Sequence, residues 1–208
     1  MSSKIIVTGP GHCGTTYFMK LLSAFGFDTG FDAEDPSISS LCTVDKPWHG
    51  FEWTIRGKHA VKENMPYIIK SPKICMDLME RAALWDWQIE HVYILLRDYK
   101  DIANHRWKYK HPTKTGGIRD LAEAEHKQTN ETKAAMWVGN IVYTVVSNNI
   151  PYTFLMFPRI VTDPYYLWST CGLFHADMMY WDFKLVFDKV ADSQAVHWGM
   201  EGIDGTRP

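Results

Sequence analysis

The sequence predicts a single three-layer α/β domain, a central parallel sheet flanked by helices. Two observations predict it. Short apolar, β-branched runs alternate along the chain with stretches of helical periodicity, and the first run ends in a glycine loop that opens a helix. Alternation of this kind builds parallel βαβ units whose helices cover both faces of the sheet. The domain is expected over residues 1–190, with residues 30–66 as an insertion and 191–208 as a tail.

Ile5, Ile6 and Val7 form the first expected strand, because consecutive apolar β-branched residues suit a strand buried on both sides. Gly9, Pro10, Gly11 and Gly14 then permit a sharp turn. Thr15 and Thr16 open a helix whose apolar residues Phe18, Leu21, Leu22 and Phe25 recur at helical spacing. The positive end of that helix and its unpaired N–H groups face the loop, an arrangement that suits phosphate or sulfate. Further strands are expected at residues 67–70, 91–96 and 151–157, and helices at 72–84, 99–110, 118–148, 164–172 and 175–190. The stretch 30–66 is too long and too aromatic (Phe31, Trp48, Phe51, Trp53) for a plain connection, and is expected to shape a substrate pocket.

With 208 residues, 46% of them apolar, the chain has ample material for a core. The formal net charge of −2 gives no general attraction to nucleic acid or to an anionic membrane, so an anion site must arise from local charge. The basic stretch 106–111, with Trp107 and Tyr109 interleaved, reads as the exposed end of a helix. No run approaches a membrane span. Cys13, Cys42, Cys75 and Cys171 lie far apart, which indicates neither a zinc site nor a disulfide framework, and with a strand at the very start of the chain this favours a cytoplasmic protein.

The spacing Gly9-x-x-x-x-Gly14 fits a nucleotide-binding loop, but Thr15 stands where that motif has its lysine, with Thr16 after it. Loss of that lysine argues against ordinary γ-phosphoryl transfer, because nothing in the loop reaches the outer phosphates. A cysteine phosphatase loop around Cys13 would need an arginine a few residues on, and residues 17–20 contain none. Ligands of parallel sheets sit at the carboxyl ends of the strands. After two further expected strands come Lys70-Ser71-Pro72-Lys73 and Arg97-Asp98-Tyr99-Lys100-Asp101, so Lys70 and Arg97 are expected to serve a ligand with more than one anionic group. Each also has a structural reading: Lys70 as a solvated strand-end lysine, Arg97 as the partner of Asp98 or Asp101, His105 as a packing residue, and Cys13 as a small residue in a crowded turn.

Taken together these segments resemble the sulfotransferases that use 3′-phosphoadenosine 5′-phosphosulfate. His12-Cys13-Gly14-Thr15-Thr16 is similar to their 5′-phosphosulfate loop, Leu95-Leu96-Arg97-Asp98 to their 3′-phosphate segment, and Lys70-Ser71-Pro72 to a Lys-Thr-Pro segment after a strand. The run from Phe157 to Pro164 resembles a late strand leading into a helix start, and the likeness extends over residues 4 to about 175. The resemblance implies in-line sulfuryl transfer to a hydroxyl or amine of a small-molecule or glycan acceptor, with adenosine 3′,5′-bisphosphate as product and no metal required. It implies that Gly11, His12, Cys13, Gly14, Thr15 and Thr16 hold the 5′-phosphosulfate and Arg97 with His105 the 3′-phosphate. Lys70 would act on the transferring group, and Glu34 is the first candidate for the base, with Asp32, Asp35, His49 and Glu52 also in the insertion. The chain departs from the family where His12 replaces a Lys or Arg, His105 a Ser, and Phe157-Pro158-Arg159 a Tyr-Glu-Asp. His12 would do the work of the missing Lys when protonated, or as the tautomer that donates toward the phosphate. Two alternatives stand beside this reading: a kinase with a degenerate loop, which predicts magnesium-dependent ATP binding, and a non-catalytic nucleotide-binding relative.

Overall fold

The computed structural model describes residues 2–31, 65–71, 78–108, 127–175 and 178–191. Its four strands, β1 (Ser2–Thr8), β2 (Ile68–Lys70), β3 (Trp87–Leu96) and β4 (Tyr152–Met156), form one sheet in the order β2-β1-β3-β4. Every pairing is parallel, as the alternating pattern predicts. Eight described helices connect and cover the strands: α1 (Thr15–Ala24), α2 (Leu78–Trp85), α3 (Tyr99–Lys108), α4 (Lys127–Ser147), α5 (Arg159–Thr162), α6 (Pro164–Thr170), α7 (Gly172–His175) and α8 (Tyr180–Val190).

Successive strand side chains point to opposite faces, so β1 divides its apolar residues between two cores. Ile5 and Val7 join Tyr93, Leu95 and Leu155 under Phe18, Leu21 and Leu22 of α1 and Phe183 and Phe187 of α8. Ile6 joins Ile69, Val92 and Ile94 under Leu78, Ala82 and Trp85 of α2 and Trp137, Ile141 and Val145 of α4. Helices thus lie on both faces, which makes the domain three-layered. Phe18 is wholly buried, and burial of a ring this size contributes about 1.5–3 kcal/mol.

Element bounds differ from expectation at several points. β3 begins at Trp87, four residues before the apolar run, because Trp87, Gln88 and Ile89 continue the ladder opposite Ser2, Ser3 and Lys4 across a register shift between Lys4 and Ile5. The helix expected at 164–172 breaks at Cys171, whose extended backbone separates α6 from α7. His175 therefore belongs to α7, and the last helix starts at Tyr180. The short α5 was not expected at all.

Of the expected insertion only the stems are described, and both pass beside the start of β2. Asp28 accepts from the Tyr67 N–H through Oδ2 and from the Ile68 N–H through its carbonyl, each at 2.8 Å. Buried Lys4 donates to the carbonyls of Met65 at 2.8 Å and Pro66 at 2.9 Å. Burial lowers the pKa of Lys4, with Asp28 acting in the opposite sense.

Candidate anion site at the carboxyl ends of the strands

The connection from β1 to β2 runs one way across the sheet and that from β3 to β4 the other, so the strand order reverses beside β1 and β3. A crevice at the carboxyl ends of strands flanking such a reversal is the usual ligand site of a doubly wound sheet. Residues 9–14 follow β1 there, Arg97 follows β3, and Lys70 is the last residue of β2.

The loop is seated hard against β3. A Cβ on Gly9 would come within 2.6 Å of both the Cys13 sulfur and the Leu95 carbonyl oxygen, so only glycine fits. Gly11, His12 and Gly14 have φ values of 77°, 55° and 88°, three left-handed residues in four. For His12 that conformation carries a steric cost of roughly 1–2 kcal/mol. Its carbonyl accepts a hydrogen bond from Arg97 Nη1 at 3.2 Å, while its side chain is exposed.

Cys13 turns inward and is fully buried. Burial pushes its thiol up to about 11 from an ordinary 9.0, against the opposing influence of Lys70 and of the Gly11, Thr15 and Cys13 amides. This agrees with the reading of Cys13 as a small residue in a crowded turn, and a protonated sulfur is a poor nucleophile at neutral pH. Cys171 is likewise buried and pushed up to about 12. In native protein at pH 8, iodoacetamide should therefore label Cys13 and Cys171 at least ten-fold more slowly than in urea, as peptide-resolved mass spectrometry would register. A thiol with a raised folded pKa stabilises the fold fully below about 9, and that contribution is lost as pH climbs toward 11.

Gly14 caps α1 without a side-chain acceptor for the first amides of the helix. A Cβ there would lie 2.7 Å from Phe157 Cδ2 and 3.0 Å from Ile160 Cδ1, so the residue after β4 and α5 press against the start of α1. Thr15 is buried, and Thr16 accepts from Lys70 Nζ at 2.9 Å. Lys70 is only 2% exposed, which excludes the reading of a solvated strand-end lysine. Its ammonium therefore reaches the cradle from β2, although the loop has no lysine of its own.

Arg97 is also buried, at 8% exposure. Besides the His12 carbonyl, its guanidinium meets Asp101 Oδ2 at 3.7 Å through Nε and lies with Cζ 4.9 Å from the centroid of the Phe157 ring. Nε has no hydrogen-bond partner. Asp98 is no partner of Arg97; its Oδ1 caps α3 by accepting from the N–H groups of Lys100 and Asp101 at 2.8 and 3.2 Å. The structural and functional readings of Arg97 thus coexist: it pairs with Asp101 and also touches the loop.

Gly11, His12, Cys13, Gly14, Thr15, Thr16, Lys70 and Arg97 are all brought to one end of the sheet. His105 falls within α3, but its side chain lies outside the described residues, as do Glu34, Asp32, Asp35, His49 and Glu52. Phe157, the last residue of the strand expected at 151–157, lies just past β4 and joins the site although the sequence does not mark it as a site residue. Among the described residues no cluster of three or more His, Cys, Asp or Glu side chains is arranged to hold a metal ion, and no helix is long and apolar enough to cross a membrane.

The class these features define is a three-layer parallel α/β protein with a glycine loop, a buried lysine and a buried arginine at the reversal of its strand order. No protein-family model, curated protein or solved structure matches the chain.

Proposed function

We propose that this protein is a sulfotransferase that moves a sulfuryl group from 3′-phosphoadenosine 5′-phosphosulfate to a hydroxyl or amine of a small-molecule or glycan acceptor. The observation that carries the proposal is the hydrogen bond from Lys70 Nζ to Thr16 Oγ1 at 2.9 Å, which delivers a buried cation to a loop that lacks its own lysine. The α1 amides, Thr15, Thr16 and Lys70 would hold the 5′-phosphosulfate. The buried Nε of Arg97, which makes no hydrogen bond among the described residues and meets Asp101 only at 3.7 Å, fits an oxygen of a second anionic group.

In the transfer, the bond from sulfur to the bridging oxygen breaks with its electron pair leaving on the 5′-phosphate. A new bond forms from the acceptor oxygen or nitrogen, whose proton passes to a base, for which Glu34 is the candidate. Charge spreads over oxygens in the transition state, so fixed donors that need no reorganisation supply the catalysis. A cytoplasmic setting belongs to the same reading; it is supported by Cys13 and Cys171, both free thiols.

Calorimetry with adenosine 3′,5′-bisphosphate and with ATP, each with and without magnesium, tests the proposal. Metal-independent binding of the bisphosphate is expected. Binding of ATP that requires magnesium would instead establish the kinase. Bisphosphate binding without sulfate transfer to any of a broad panel of acceptors would leave a non-catalytic relative.

A further inference from the structure

We infer that Phe157 is a positioning residue for the anion site, its ring fixing the Arg97 guanidinium and the start of α1 relative to one another. The inference rests on the proposed binding of an anionic ester at the cradle. Its root is held by the Phe157 N–H, which donates to the Leu96 carbonyl at 2.8 Å, so the ring projects from the residue just past β4, tied to the last residue of β3. From there it meets two donors at once. One is Arg97, with Cζ 4.9 Å from the ring centroid; the other is the cap of α1, where Cδ2 would stand 2.7 Å from a Cβ on Gly14.

Arg97 needs such a support. Among the described residues its polar contacts are the His12 carbonyl at 3.2 Å and the longer approach of Nε to Asp101 at 3.7 Å, and neither sets the plane of the guanidinium. An aromatic face does, because a guanidinium stacked on a ring gains cation–π attraction without using any N–H. The donors then stay available, Nε among them. Without the ring, Arg97 is free to settle on Asp101, which is partly exposed and four residues along the same helix start. Glycine at position 14 belongs to the same device: it leaves the space into which the ring closes. One side chain just past β4 thereby ties together a cation following β3 and the helix N-terminus following β1.

Two measurements test this. The first follows rotation about the Arg97 Nε–Cζ bond by nitrogen NMR in ligand-free protein. Phe157→Leu should speed that rotation several-fold, and Phe157→Tyr, which restores a ring, should return it to the wild-type rate; an unchanged rate in Phe157→Leu overturns the inference whatever the ligand is. The second is a double-mutant cycle on adenosine 3′,5′-bisphosphate affinity with Phe157→Leu and Arg97→Gln. Phe157→Leu should weaken binding by about five- to twenty-fold, while in an Arg97→Gln background it should cost almost nothing further. Losses that multiply independently would also overturn it. Failure of the wild type to bind the bisphosphate would remove the functional reading, and the NMR comparison would still decide the role of Phe157. Should the leucine variant fail to fold, Phe157→Met, of similar bulk and without a ring face, takes its place with the same outcomes.

Discussion

Lys70→Met should weaken binding of adenosine 3′,5′-bisphosphate by about 10- to 100-fold and leave the ligand-free protein at least as stable as before. The first effect follows from removing, beside Thr16 at the start of α1, the cation that would offset the charge of the bound ester, a charge-assisted interaction of roughly 1.5–3 kcal/mol. The second follows from burial. At 2% exposure the lysine keeps an ammonium out of water, a costly arrangement that methionine, with its similar length and flexibility, relieves. Opposite signs in calorimetric affinity and in melting temperature would mark Lys70 as a residue retained for binding at the expense of stability. Unchanged affinity would remove it from the site.

Gly9→Ala should destabilise the fold by about 3 kcal/mol or more, measured by urea unfolding, and Gly26→Ala by only about 1–2 kcal/mol. Both residues have positive φ, which L side chains rarely adopt, and Gly26 at 79° is the one in the left-handed region. They differ in space. A Cβ at position 26 meets nothing within 4 Å, whereas at position 9 it would stand 2.6 Å from a backbone oxygen of β3 and from the Cys13 sulfur. A backbone oxygen in the middle of a sheet cannot yield as a flexible side chain can, so overpacking adds to the conformational cost. Equal losses at the two positions would show that the loop does not depend on its contact with β3.

Much of the architecture is legible in the chain because particular residues admit few alternatives. Ile5-Ile6-Val7 and Ile94-Leu95-Leu96 are apolar without interruption, as strands covered on both faces must be, and most of these side chains are fully buried. Trp87 to Glu90 belongs to the same strand but was not read so. There the sheet is covered unevenly, Gln88 and Glu90 face solvent, and the residues carry no continuous apolar signal. Lys70 and Arg97 were legible from their places at strand ends. What they touch was not: a hydrogen bond to the His12 carbonyl depends on a left-handed backbone that no side chain announces. The same holds for Phe157, whose effect on Gly14 and Arg97 exists only once β4 has been placed beside β3.

The position of β1 has a consequence for motion. This strand lies between β2 and β3, with Ile6 and Val7 wholly inaccessible, and each half of the sheet is joined to the other through it. Its amides open to solvent only when the sheet itself comes apart, so the free energy of that opening approaches the global value. The glycine loop is the direct continuation of this strand. Its least compliant anchor is therefore also the last part of the domain to unfold, and ligand entry and exit must be governed by movement elsewhere than at the root of the cradle.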